Sequence, residues 1–515
     1  MEPPSRTGFA DEIDPAGLLA GASEHITMKR PVRILFGAVV IVVVILGVAL
    51  ARVPLFKSRQ VTAPRVRDLP VNASRFAEVL SRAVRLNTIS SEDPIPPHGS
   101  ALLGLHALYR ESFPLVHAKL RREVINGYSL LYTWQGANPS LPPVILMGHQ
   151  DVVPIDDPGA WSEPPFGGRI VKGFVWGRGT LDDKIAVLGV LQGAETLLAK
   201  GYRPQRTIYF AFGHDEEISG EHGARAIARE LKRRGVRAAF VLDEGGAITK
   251  DVVGGLKRPL AVVGIAEKGY VSLELSVKME GGHSSMPPGE TAVGAISAAV
   301  SRLEQHPFPA HVDGVSRQML EYIGPEMSFA KRVALANLWL TGPVVARELA
   351  SEPATNAGLR TTTAPTVISG GVKDNVLPKT ASAIVNFRIL PGDTISSVKD
   401  RVISTIDDRR VQVRVLPFGS EPSAVSDTNS PGFRAIQKTI AQVFPDALVA
   451  PSLVLGATDS RHFKNVSSQI YRFLPVTLTE KDLARIHGSD ERIAVSDCPH
   501  VAQFYAQLIR NACSN

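Results

Sequence analysis

The chain has 515 residues, 44% of them hydrophobic and 21% charged, with a formal net charge of +7. Single cores stop growing at roughly 250–300 residues, so more than one domain is expected, and the composition excludes a disordered chain. The basic residues form no arginine-rich or aromatic–basic stripe, which argues against nucleic-acid binding, and two cysteines, Cys498 and Cys513, are too few for a disulfide framework or a Cys-rich zinc site.

Met1 to Lys29 is polar, and Ile34 to Ala51 then runs without a charge. A helix of about 18–20 such residues spans a bilayer. Charges at both ends and the lack of an amphipathic period set this run apart from a buried core helix. Ala49-Leu-Ala51 is like a signal-peptidase site, so a cleaved signal peptide is the rival reading; the long polar region before it favours an uncleaved anchor. Lys29, Arg30 and Arg33 favour a cytoplasmic N-terminus, whereas Arg52, Lys57 and Arg59 oppose it. Pro54, Pro64 and Pro70 mark a linker.

An α/β block follows. Helical spacing covers Arg75 to Leu86 and Ala101 to Phe113, and strands are expected at Tyr128 to Gln135 and Val144 to Met147. The second strand runs into Gly148-His-Gln-Asp151, where His149 and Asp151 face the same way on an extended segment. That arrangement suits a metal-ligating imidazole with a carboxylate beside it; taken alone, the pair reads by default as a surface His and Asp at a strand end. Gly177-Arg-Gly-Thr-Leu-Asp-Asp-Lys184 places two acids in a glycine-rich turn before a helix from Ile185 to Leu198. Arg206 to Phe212 is a strand ending in Gly213-His-Asp-Glu-Glu217. Ala224 to Arg234 is a helix, and Ala239 to Leu242 is a strand ending in Asp243-Glu244-Gly-Gly246. His149, Asp182, Glu216, Glu217 and Asp243 therefore fall at or shortly after strand ends, where open α/β sheets bind ligands.

Lys268 to Val277 alternates and opens a new strand set. Gly281-Gly-His283 and a helix from Thr291 to Leu303 come next, then a Pro-interrupted segment, Pro307 to Thr363, with a helical patch at Ser328 to Leu340. Strands at Thr366 to Gly371 and Thr380 to Ile389 flank Asn375-Val-Leu-Pro378, and a helix (Val398 to Ile406) and a strand (Val411 to Leu416) complete a small α+β domain. A helix from Pro431 to Phe444, a strand-like turn from Leu453 to Asp459, His487-Gly and a last helix from Asp497 to Arg510 return to the first domain.

The motifs Met147-Gly-His-Gln-Asp-Val-Val-Pro154, Trp176 to Lys184, Gly213 to Glu217, Leu242-Asp-Glu-Gly245, Gly282-His-Ser-Ser-Met-Pro-Pro288, Asn375 to Pro378 with Arg388, and His487-Gly488 occur in order. Together they resemble the dinuclear zinc aminoacylase/carboxypeptidase family, peptidase family M-twenty, in its carboxypeptidase S branch. The resemblance implies an α/β fold: a zinc-peptidase catalytic domain on a mixed sheet flanked by helices, interrupted by a smaller α+β lid or dimerisation domain, behind an N-terminal transmembrane helix. The divisions read as a polar tail 1–33, an anchor 34–51, a linker 52–72, a first catalytic segment 73–266, a lid 267–418 and a second catalytic segment 419–515. It further implies two Zn2+ ions, with other divalent metals an alternative. His149 and Asp243 would hold one, Glu217 and His487 the other, and Asp182 would bridge them across a cis peptide to Asp183. Asp151 would orient His149, Glu216 would be the general base, His283 would contact the carbonyl oxygen, and Asn375 and Arg388 would hold the substrate carboxylate. The implied substrate is a small peptide or N-acyl amino acid; a dipeptidase, a biosynthetic deacylase or an inactive binding homologue are the alternatives. Pairing through the small domain makes a homodimer an expectation.

His214, Asp215 and His222 read as structural, and His462 and His500 as surface or core histidines. Asp459 stands between packing and binding, and Asn72-Ala-Ser and Asn465-Val-Ser match glycosylation sequons.

Overall fold

A computed structural model describes residues 30–91 and 98–514, with nothing stated of the side chains of 30–33; the tail expected before the anchor lies almost wholly outside the described residues. The chain divides into two units, one ending at Val53 and one running from Pro54. In the first, Arg30–Arg52 is one continuous helix. Ile34–Leu55 is long and apolar enough to cross a membrane.

The second unit is built on a ten-stranded mixed sheet. At its centre Val144–His149 lies between Ile208–Gly213 and Phe240–Asp243, parallel to both. Val144–His149 is buried at every position, the mark of a parallel strand covered on both faces. Helix Lys184–Ala199 covers one face and helix Cys498–Cys513 packs along it. That approach needs Gly193, because a Cβ there would lie 2.9 Å from the Ala506 amide nitrogen. The later segment completes the same sheet. Leu448–Val454 runs parallel to Leu260–Glu267, and Ile470–Arg472 runs parallel to Phe240–Asp243. The chain adopts an α/β fold that is interrupted and then resumed.

The interruption carries a four-stranded antiparallel sheet of Thr362–Gly370, Thr380–Ile389, Gly269–Lys278 and Gln412–Val415, in that order. Helices Ala292–Gln305 and Ile395–Ile406 cover it. Val271, Leu273, Leu275 and Val277 alternate inward and meet Val385, Phe387 and Val402 in a core separate from the large one.

Two readings change. Helix Gly314–Ile323 falls within the segment assigned to the lid, yet it buries Val315, Leu320, Tyr322 and Ile323 in the large core. Strands Arg121–Ile125 and Leu260–Glu267 were not anticipated. The first is charged and half-exposed at the sheet edge, and the second is an almost unbroken apolar run without alternation. Asn72 of the first sequon is an N-cap: its side-chain oxygen accepts the Arg75 amide at 3.0 Å.

Candidate metal centre and active site

The parallel strands Val144–His149, Ile208–Gly213 and Phe240–Asp243 end side by side, so the acid-bearing turns after them converge with His149. The Gly177–Lys184 turn supplies Asp182. Gly177 has φ 140, and a Cβ there would meet the Pro165 carbonyl at 2.6 Å, so the path admits only glycine. The Asp182–Asp183 peptide is cis.

Asp182 stands between two imidazoles. Its Oδ1 is 2.8 Å from His149 Nε2 and its Oδ2 is 2.9 Å from His487 Nε2. Glu217 Oε2 lies 3.3 Å from His487 Nε2, and Glu244 Oε1 lies 3.5 Å from His149 Nε2. Donor atoms of His149, Asp182 and Glu217 gather within 4.8 Å of one another, as do those of His149, Asp183 and Glu244. Crowded carboxylates and imidazoles distort one another's protonation. Hydrogen bonds that His487 donates to Asp182 and Glu217 raise it to about 10, and burial, with Asp182 beside it, raises Glu244 to about 8. Four acids, Asp182, Asp183, Glu217 and Glu244, sharing one site repel unless cations neutralise them. Glu217 Oε1 is buried with no hydrogen-bond partner. This oxygen and nitrogen set, with an acceptor left over, fits divalent metal.

Glu244, not Asp243, faces His149. The Asp243 Oδ2 accepts the Ser460 amide at 2.8 Å. Asp243 closes the strand Phe240–Asp243, and the segment it meets, Thr458–Ser460, is tied to a buried Glu267–Arg472 ion pair of 3.0 Å. Asp243 was the residue expected beside His149; in this structure the carboxylate found there is that of Glu244, while Asp243 is bonded to the Ser460 amide. Asp183 has a buried Oδ1 with no hydrogen-bond partner. Its Oδ2 accepts the His149 amide at 3.3 Å, and burial, with Glu244 nearby, pushes its carboxyl well up.

Asp151 is fully buried behind His149. Its Oδ1 lies 3.4 Å from His149 Nδ1 and accepts the Glu216 amide at 3.2 Å, and its Oδ2 accepts the Glu217 amide at 3.1 Å and the Ser90 hydroxyl at 2.8 Å. One carboxylate thus sets both an imidazole and the backbone of the adjoining acid pair. Burial, with the Asp459, Glu244 and Glu217 carboxylates near it, pushes Glu216 well above the usual carboxylate range.

Glu491 was missed by sequence reading, since nothing local marks an acid four residues after His487. It is fully buried. Its Oε2 accepts Arg178 Nη1 at 2.7 Å and the Gly179 amide at 3.1 Å, and its Oε1 accepts the Leu181 and Asp182 amides at 2.7 and 3.2 Å. Arg178 Nη2 in turn donates to the His487 and Gly488 carbonyls at 3.1 and 3.0 Å. The Arg178–Glu491 pair therefore staples the turn holding Asp182 to the loop holding His487.

The remaining expected residues lie in the small domain as a second group. Gly282–His283 pairs with Val376–Leu377, which sets His283 beside Asn375: the Ser284 amide donates to the Asn375 carbonyl at 3.2 Å. His283 and Asn375 are exposed, and Arg388 stacks its guanidinium 4.9 Å from the Tyr270 ring centroid. His214 bonds Ser129 Oγ at 2.6 Å, and Asp215 accepts the His222 and Gly223 amides at 2.7 and 2.8 Å. Asp459 is buried with neither carboxylate oxygen bonded. Cys498 and Cys513 are free and buried.

Residues 145–511 match the model of Peptidase family M20/M25/M40. The chain belongs to this family. It is 44% identical over 442 residues to the N-fatty-acyl-amino acid synthase/hydrolase PM20D1 of Xenopus tropicalis, covering 85% of this chain and 86% of the relative. It is 42% identical over 440 residues to the probable carboxypeptidase S-like 2 of Dictyostelium discoideum, covering 85% of each. Among solved structures, the M20 family metallo-carboxypeptidase Sso-CP2 from Sulfolobus solfataricus shares the fold, with a TM-score of 0.62 at 16% identity over 85% of this chain and 99% of that one. The Bacillus subtilis YXEP protein, a dinuclear metal binding peptidase from the M20 family, also shares the fold, with a TM-score of 0.54 at 13% identity over 85% of this chain and 98% of that one; the present chain is a carboxypeptidase-like hydrolase.

Proposed function

We propose that this chain is a membrane-anchored, zinc-dependent hydrolase that cleaves the amide joining an acyl or peptidyl group to an amino acid bearing a free carboxylate. The observation that carries the reading is Asp182, whose two oxygens are divided between His149 and His487 at 2.8 and 2.9 Å. Asp182 would be shared by two ions, His149 and Glu244 would help hold one, and Glu217 and His487 the other. Bound there, two zinc ions would acidify a water and polarise the scissile carbonyl.

The protein's own groups supply the rest. Glu216, fixed through Asp151 beside Glu217, removes a proton from the attacking water. Oxygen bonds to the carbonyl carbon, the carbon–nitrogen bond breaks, and Glu216 returns the proton to the departing amine. His283 donates to the carbonyl oxygen as negative charge develops there, a contribution of about 3–4 kcal/mol in comparable oxyanion sites. Asn375 and Arg388 hold the carboxylate of the leaving amino acid, the guanidinium matching two oxygens at once. By microscopic reversibility the same groups also form the amide from fatty acid and amino acid. The relatives' names, an N-fatty-acyl-amino acid synthase/hydrolase and a carboxypeptidase S-like protein, support both halves of this substrate description. Lys29, Arg30 and Arg33 before the apolar helix favour an extracytoplasmic or lumenal catalytic body.

Glu216→Gln tests the assignment. The variant is expected to retain its metal and lose hydrolysis of a panel of short- and long-chain N-acyl amino acids and N-blocked dipeptides by at least about 100-fold. Retained turnover would refute Glu216 as the base.

A further inference from the structure

Helices Phe329–Ala336 and Leu338–Leu349 are not used by the chemistry above, and their composition is unusual for a surface. Leu338–Leu349 (Leu-Trp-Leu-Thr-Gly-Pro-Val-Val-Ala-Arg-Glu-Leu) is apolar on both sides, and none of its residues is fully buried. Leu338, Val345 and Leu349 lean on the large core. The opposite side, where helical spacing aligns residues 339, 340, 343 and 344, points outward, with Trp339 56%, Leu340 45% and Val344 71% exposed. Phe329, at the start of the preceding helix, is 65% exposed. The Trp339 indole N–H is satisfied within the chain by Asn337 Oδ1 at 3.1 Å, so its ring meets the surroundings as an apolar plate. Across both helices the charged residues are Lys331, Arg332, Arg347 and a single acid, Glu348. Contiguous exposed apolar side chains with a basic margin mark an interaction surface, and Trp and Phe among cations are the composition of a bilayer interface.

The chain's own tether indicates what covers this surface. Phe56 and Leu335 close over Gly324, where an added Cβ would lie 2.6 Å from the Phe56 ring and 3.1 Å from Leu335 Cδ1. Arg59 Nη2 donates to Glu321 Oε2 at 2.8 Å and its guanidinium lies 5.2 Å from the Tyr322 ring centroid. Gln60 Nε2 donates to the Tyr322 and Val449 carbonyls at 3.3 and 3.0 Å. The tether is therefore pinned beside the Phe329–Ala336 helix almost as soon as the apolar span, Ile34–Leu55, has ended. Phe56 directly follows Leu55, the last residue of the span, so covalent connection alone keeps its Cα within about 4 Å of the end of the membrane helix. The polar layer on each side of a bilayer is itself roughly 5–8 Å deep. A bilayer that holds Ile34–Leu55 lies within reach of the exposed pair, whereas a second copy of the chain would have no such covalent guidance.

We infer that the outward face of Phe329–Ala336 and Leu338–Leu349 rests in the headgroup layer of the bilayer that holds the chain's own apolar helix, with Trp339, Leu340 and Val344 reaching the acyl boundary and Lys331, Arg332 and Arg347 among anionic headgroups. The inference rests on the membrane-anchor reading. It gives the enzyme a second, shallow attachment that holds the catalytic body against the leaflet in which amphiphilic N-acyl amino acids dissolve.

The experiment places the full-length protein in nanodiscs of phosphatidylcholine and phosphatidylglycerol, with lipids brominated near the headgroup or deep in the chain. The emission of Trp339 is read as the difference between the wild type and Trp339→Phe. Shallow bromines are expected to quench that difference at least about twofold, and deep bromines less, as for an interfacial side chain. A protein retained in the discs whose Trp339 emission is the same with and without bromine overturns the docking and leaves the anchor standing. A protein that fails to enter discs at all overturns the anchor and the docking with it. If Trp339 is unquenched and Leu340→Glu/Val344→Glu converts a dimer to a monomer, the face belongs to a second copy and the inference is wrong.

Discussion

Glu491 offers a sharp test of how the site is held, because it touches no proposed ligand through its side chain except the backbone of Asp182. Replacing it with Gln keeps size and shape but removes the charge opposite Arg178 and turns one acceptor into an amide donor. Its two oxygens accept Arg178 Nη1 and the amides of Gly179, Leu181 and Asp182. Whichever way the Gln side chain is flipped, one pair of these donors faces an N–H. Breaking a buried pair costs about 3–5 kcal/mol, and each buried donor left unpaired about 1–3 kcal/mol. These penalties overlap, so a loss of about 3–5 kcal/mol in stability is expected, concentrated in the Gly177–Lys184 turn. Asp182 then loses its backbone anchor, and metal affinity is expected to fall about 10–100-fold, as for other residues that orient ligands. Thermal unfolding of apo and metal-loaded protein and competitive metal titration read the two effects separately. Glu491→Gln with wild-type unfolding and metal affinity would refute the claim that this carboxylate holds the turn.

Glu244→Gln is expected to weaken one of the two metal positions, whereas Asp243→Asn, which can still accept the Ser460 amide, should keep both ions and lose no more than about 1–2 kcal/mol of stability. Elemental analysis of the two variants checks this, and the reverse pattern would restore Asp243 as the ligand. His106 carries a pH dependence away from the metals. Burial lowers its pKa to about 4 against an ordinary 6.5, while its Nε2 sits 2.8 Å from the Tyr128 carbonyl. The unfolded chain binds the proton first, so stability is full above pH 6.5 and falls as pH drops toward 4, by about 3 kcal/mol for this group. His106→Asn should have a shallower loss of melting temperature than wild type between pH 7 and 4.5. Identical slopes would remove His106 from the account.

Much of the frame was legible because the hydrophobic pattern follows the elements. Thr380 to Ile389 reads and folds as one strand, and the apolar run after Gly177–Lys184 is helix Lys184–Ala199. The convergence of His149, Asp182 and the Glu216–Glu217 pair was readable as acids and imidazoles placed at strand ends. What escaped depends on chain segments distant in sequence. Asp243 and Glu244 are adjacent acids after one strand; what distinguishes them here is Ser460, whose amide donates to Asp243 from a distant segment, while Glu244 lies beside His149. Glu491 shows no pattern of its own because its partners are backbone amides in a turn hundreds of residues earlier. The helix Gly314–Ile323 is amphipathic, and amphipathicity says that a face is buried without saying in which of two cores.

The shared carboxylate is the centre of the account, and metal stoichiometry tests it most directly. Full-length protein dialysed against metal-free buffer and analysed by inductively coupled plasma mass spectrometry is expected to hold two zinc ions per chain. Asp182→Asn is expected to hold fewer than one and to lose N-acyl amino acid hydrolysis. An Asp182→Asn protein that still carries two ions per chain would contradict the bridging role, and the two-metal site drawn around it.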